Sequence, residues 1–222
     1  MRSSSARRIS GVAAFVTAPG FALPACSGPS SGGTAATVVS GSGAHATSGV
    51  DSPDPPDVKP SLTPTDQNGH RYDLVKQTAG RRTRWYFGYT HWPDVCPTTM
   101  ADIALAAHRL PAAGRHRLRM FFVSTDPDRD TPGSLKQWLG AIHPDFTGLT
   151  GDFSAVRRAA RSPGVGISRP VRHKDGSETV SHRAEAIVFS PRDDEAHFFY
   201  TVGTSERRYA ADLSKFIKGE TP

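Results

Sequence analysis

RWYFGYTHWPDVCPTTM, residues 84–100, carries an aromatic run into a proline-started apolar periodicity. RWYFGY at 84–89 is short and bulky, the composition of a buried strand. After Pro97, the residues Met100, Ile103, Ala104, Ala107 and Leu110 recur at helical spacing. Residues 97 to about 111 are therefore expected as an amphipathic helix with proline in its first turn. Cys96 stands at the strand-to-helix turn, and the position four residues before it holds Trp92.

Working outward, the same alternation of strand and helix repeats. LRMFFVST at 118–125 reads as a second buried strand, bounded by Asp126. Thr131 and Pro132 look like an N-cap and a first-turn proline, and Leu135, Trp138, Leu139 and Ile142 form the apolar stripe that follows. Asp152 can cap a third helix running through Val156. Upstream, Asn68-Gly69 suits a short hairpin turn. Downstream, residues 171–191 read as two strands joined at Asp175 and Gly176, 196–202 as a further strand, and Tyr209, Leu213, Phe216 and Ile217 as one side of a closing helix. This order predicts the α/β class: a thioredoxin-like fold with a mixed sheet flanked by helices, Cys96 lying at the first strand-to-helix turn.

The first 57 residues differ in kind. Arg2, Arg7 and Arg8 precede the weakly apolar GVAAFVTAPGFALPAC, the order of an export signal. Its end, LPAC at 23–26, resembles a bacterial lipobox, in which the chain is cut after Ala25 and Cys26 carries lipid; a plain secretory signal is the alternative. Residues 26–57 are rich in Ser, Gly, Thr and Pro and too poor in large apolar side chains to build a core, so they are expected as a flexible tether. The folded domain is expected over 58–220. Losing residues 1–25 would remove three arginines and no acids, taking the formal charge from +6 to +3. With no Lys/Arg run interleaved with aromatics, and RRAAR at 157–161 reading as a solvated helix face, nucleic-acid binding is not expected.

The chain has two cysteines. If Cys26 is lipidated, only Cys96 remains in the folded part, so no internal disulfide can form there. The end of a helix dipole and its unpaired amides favour a thiolate at Cys96, which serves as nucleophile or metal ligand; the plain alternative is a small buried apolar residue. Dithiol redox chemistry needs a second thiol, and none is present. For metal binding, sulfur selects reduced copper and imidazole serves either copper oxidation state. His182, sharing a predicted strand face with Val180 and Ala184, His91 beside Trp92, and Met100 one helical turn past Cys96 are the candidate co-ligands. Each also has an ordinary reading, as a satisfied or exposed histidine or a core methionine.

FGYTHWPDVCPTTM, VSTDPDRDTPGSLKQWL, HPDFTGLTGD and VSHRAEAIVFSP, in this order, together resemble the Sco/SenC copper proteins that help assemble the dinuclear copper centre of cytochrome c oxidase. The resemblance runs from about residue 60 to 218. It implies copper as the cofactor, with Cys96 and His182 matching two family ligands and Trp92 standing where the family has its first cysteine. It associates Asp126 with the surroundings of the site or with partner contact. It further implies a metallochaperone-like protein rather than an enzyme, and the lipobox reading of residues 23–26 would hold it by a lipid anchor on the extracytoplasmic face of the membrane. Its partner would be a copper-accepting oxidase subunit or another copper or thiol protein. Two alternatives stand beside this: a single-thiol peroxide or disulfide reductase, and a partner-binding module that has lost copper.

Overall fold

The computed structural model describes residues 49–220 except 93–94, 116–117, 170, 173, 175–177, 180–183 and 219. In chain order these residues form β1 (Val50–Asp51), β2 (Asp57–Val58), β3 (Thr65–Asp66), α1 (Leu74–Thr78), β4 (Thr83–Gly88), α2 (Val95–His108), α3 (Ala112–Arg115) and β5 (Arg119–Ser124). They continue with α4 (Pro132–Ile142), β6 (Thr147–Thr150), α5 (Phe153–Arg161), β7 (Val171–Arg172), β8 (Glu178–Thr179), β9 (Ala186–Phe189), β10 (Glu195–Tyr200) and α6 (Glu206–Lys218).

One sheet has the order β1-β10-β9-β4-β5-β6-β3, with β2 also pairing β10. Its centre, β4-β5-β6, is parallel, because helices α2 and α4 carry the chain back across the sheet between those strands. β9 and β10 extend it antiparallel on one side and β3 on the other, giving the expected mixed sheet. Side chains alternate across a strand, so β4 sends Trp85 and Phe87 into one core and Tyr86 into the other. α2, α4 and α6 cover the Tyr86 face, α1 and α5 the opposite one. The helix starts lie where the caps predict: Thr131 Oγ1 accepts from the Ser134 amide, and Asp152 Oδ1 from the Ala155 amide.

Two expectations shift. Pairing begins upstream of Val58, where composition put the start of the domain, since Val50–Asp51 already pairs with β10. Between 171 and 191 the described residues form three short strands rather than the two long ones expected. β7 and β8 form a separate two-stranded sheet, residues 184–185 are irregular, and among the described residues of this stretch 186–189 joins the main sheet as β9.

Arg84, on the Tyr86 face of β4, is fully buried, and its three side-chain nitrogens find no hydrogen-bond partner among the described residues. Its guanidinium lies over Tyr200, Tyr209 and Phe216, with ring centroids at 5.1, 5.7 and 5.9 Å. Ring quadrupoles offset part of the desolvation of a buried cation but satisfy none of its N–H groups. Arg84→Met is therefore expected to stabilise the fold by about 1–3 kcal/mol, read as a raised urea midpoint at unchanged slope. A lowered midpoint would mean that the three rings outweigh the desolvation.

Candidate metal centre

β4 ends at Gly88, and the turn through Tyr89, Thr90, His91 and Trp92 leads into α2, where Cys96 is the second residue. The sulfur packs against backbone that only glycine provides: a Cβ on Gly88 would lie 2.8 Å from Cys96 Sγ and 2.8 Å from Tyr86 Cε1. Cys96 is fully buried in the core cluster that holds Tyr86, Tyr89, Trp92 and Met100. Tyr86 Oη donates to Cys96 Sγ at 3.6 Å.

This burial overturns the expected thiolate. It pushes the Cys96 thiol up to about 12, against the downward pull of the Tyr86 hydroxyl and the Tyr89 backbone amide, and the Asp130 carboxylate adds to the rise. The helix end contributes only a partial charge, whereas removing a whole thiolate from water costs more. Trp92 belongs to the same core cluster, is 3% exposed and stacks on Tyr89, ring centroids 5.3 Å apart and planes 19° from parallel.

A buried carboxylate fastens the turn from the other side. Asp130, with no exposed surface, accepts from the Thr90 amide (3.2 Å) and the Ser124 hydroxyl (2.6 Å) through Oδ2, and from the Thr90 hydroxyl (2.5 Å) through Oδ1. His91 Nδ1 sits 3.7 Å from Asp130 Oδ1 and 3.1 Å from Thr90 Oγ1, its side chain half exposed. That nitrogen is thus engaged by Thr90, beside Asp130. Met100 is fully buried in the Cys96 cluster. Asp126 is buried and paired with Arg129 Nε, and the Arg129 guanidinium lies 5.9 Å from the Tyr89 ring centroid. The site therefore brings together Cys96, Met100, His91 and Asp126 as a packed turn with a polar flank; His182 and Cys26 lie outside the described residues.

Asp130 was missed from the sequence. Its signal is that Thr131 already supplies the helix cap, leaving the acid before it without a local task. Asp130→Asn keeps one acceptor oxygen but turns an amide toward donors, and the Thr90 N–H cannot reverse its role. A loss of about 2–3 kcal/mol is expected, read by chemical denaturation. A loss under about 0.5 kcal/mol, the size of an ordinary surface change, would show that the carboxylate does not hold the turn.

The SCO1/SenC family profile matches residues 50–218. The chain belongs to the SCO1/SenC family. The mitochondrial protein SCO1 of Saccharomyces cerevisiae is a relative of this SCO1/SenC chain, 33% identical over 150 residues, which cover 66% of this chain and 50% of the yeast protein. The chain thus spans half the length of that relative. Among solved structures, Bradyrhizobium japonicum ScoI with copper bound superposes with a TM-score of 0.61 at 30% identity, covering 72% of this chain and 99% of that one. Yeast Sco1 with copper bound gives 0.65 at 26% identity, covering 75% and 92%. These are Sco thioredoxin-like folds, and the mixed sheet with helices on both faces is the same architecture. No helix of the described residues is long and apolar enough to cross a membrane.

Proposed function

We propose that this chain handles copper on the extracytoplasmic face of a membrane, tethered through a lipidated Cys26, and supports assembly of the copper centre of cytochrome c oxidase. Cys96 and His182 are its copper ligands, with His91 or Met100 as auxiliaries, and the recipient is an oxidase subunit or another copper or thiol protein. The observation that carries the reading is the family match over residues 50–218 with Cys96 in place at the β4–α2 turn. The donor set is soft and suits reduced copper, but it has one thiol, and that thiol is protonated and covered. Copper entry then requires the core around Cys96 to open and the Cys96 proton to leave.

The test is the affinity of the full chain for Cu⁺, by competition with a chromophoric chelator, beside Cys96→Ser and His182→Ala. Weaker binding in both variants supports the assignment. Unchanged binding in both sinks it.

One observation favours a second reading. The Cys96 thiol is neutral and fully buried in the core cluster that also holds Trp92, which is what a partner-binding module without copper would retain. Capture of a partner that survives Cys96→Ser, with no Cu⁺ binding, would support it. A thiol pushed to about 12 counts against the single-thiol reductase, because the attacking species is the thiolate.

A further inference from the structure

At the turn between β9 and β10, Asp193, Glu195 and His197 gather one ligand atom each within 4.8 Å of one another, the single such group of three among the described residues. Glu195 and His197 are two apart at the start of β10, on either side of Ala196, where the pairing with β9 shifts register. His197 Nε2 meets Asp193 Oδ2 at 2.8 Å, so an imidazole nitrogen and a carboxylate oxygen already converge. Asp193 and His197 line a cleft of about 220 Å³, one wall of which is Val188, Phe198 and Phe216. The imidazole sets this group apart from an acidic patch, because it supplies a borderline nitrogen donor beside two oxygen donors.

Strand register separates this group from Cys96. Ala196 pairs with Phe189, and Phe189 pairs with Thr83 at the first residue of β4. Cys96 packs at Gly88, five residues along that strand, or about 17 Å at roughly 3.3 Å per residue. The two groups lie at opposite ends of the sheet.

We infer that Asp193, Glu195 and His197 form a second metal site, for a divalent ion of the Zn²⁺ or Cu²⁺ type, separate from the Cys96 turn. Three protein ligands leave a coordination position for water, and two carboxylates balance the charge of the ion. One nitrogen and two oxygens without sulfur disfavour Cu⁺, so the two sites divide by oxidation state and softness. The ion takes the place of the hydrogen now between His197 and Asp193. A neutral ring shifts its proton to Nδ1, and a protonated ring releases one to solvent. Arg82 and Arg192 line the same cleft and oppose a cation, while Glu220 adds a carboxylate, so the affinity is set by a near balance of charges.

The test uses the full 222-residue chain with Cys26→Ala and Cys96→Ser, which removes both thiols, titrated with Zn²⁺ against a chromophoric chelator. One equivalent of bound Zn²⁺ is expected, lost or weakened at least tenfold by His197→Ala and by Glu195→Gln. Glu195→Gln is the gentler change, and circular dichroism melting of each variant confirms that it is folded. No bound Zn²⁺ in the chain lacking both thiols, or full retention in a folded His197→Ala or Glu195→Gln chain, overturns the site. Cu⁺ affinity of the His197→Ala chain with Cys96 intact should not change, so this inference and the copper reading fail separately.

Discussion

In a Cys26→Ala chain, Cys96 is expected to react with a disulfide reagent at neutral pH about a thousandfold more slowly than an ordinary cysteine. The thiol is pushed from its usual 9.0 to about 12, and each unit removes nine-tenths of the remaining thiolate. Complete burial slows access further. Trp92→Ala opens the turn and should recover most of the lost rate, provided the folded fraction is checked, since truncating a buried tryptophan costs about 3–5 kcal/mol. The same shift makes stability depend on alkali. The folded state holds its proton longer than the unfolded state, so stability is unaffected below about pH 9 and falls as pH rises from about 9 to 12. The cost reaches up to about 4 kcal/mol at about 1.36 kcal/mol per unit. Buried Tyr200, raised to about 12, and Tyr209 and Tyr86, raised by the same desolvation, add to the slope. Cys96→Ala should flatten it by the cysteine's share. A native thiol that reacts at the rate of a free one would remove the sealed turn from the account.

The elements that were legible in the sequence are those whose side chains carry one strong period. β4 and β5 are runs of large aromatics, α4 and α5 have an oxygen-bearing cap and a clear stripe, and β10 follows its turn. β6, Thr147–Thr150, escaped because TGLT has no apolar run. It is a strand because Gly148 lets Leu135 and Leu139 of α4 lie directly on it: a Cβ there would sit 2.8 Å from Leu139 Cδ1. β1 was hidden in a low-complexity stretch, since its pairing with β10 is a backbone property that composition does not record. At the site, the position of Cys96 was legible and its ionisation was not. Helix-end electrostatics is local, whereas the burial that defeats it comes from the core cluster in which the sulfur sits, with Tyr86 and Gly88 directly against it. Asp130 escaped for the same reason, because two of its partners, Thr90 and Ser124, lie on other strand ends.

Trp92→Cys is expected to raise the affinity for Cu⁺ by roughly a hundredfold or more under reducing conditions. A second sulfur on the same turn binds as a tethered ligand, so its contribution is set by effective concentration rather than by free encounter. It also replaces a ring that stacks on Tyr89 with a soft donor on the same turn as Cys96. The exchange costs stability, because the Tyr89 stack and most of the buried indole surface are lost; the comparison must be made on folded protein. The second consequence is redox behaviour that the natural chain lacks. Two thiols on one turn can cycle as a disulfide, so mild oxidant should remove two titratable thiols from Trp92→Cys in a Cys26→Ala background and leave the native turn unchanged. If both gains appear, the natural chain differs from a two-sulfur copper site by one side chain, and Trp92 is what limits its hold on copper. If Trp92→Cys folds but binds Cu⁺ no more tightly, position 92 does not face the cargo. The sealed turn is then structural, and the surface around His91, Asp126 and Arg129 becomes the place to look for a partner.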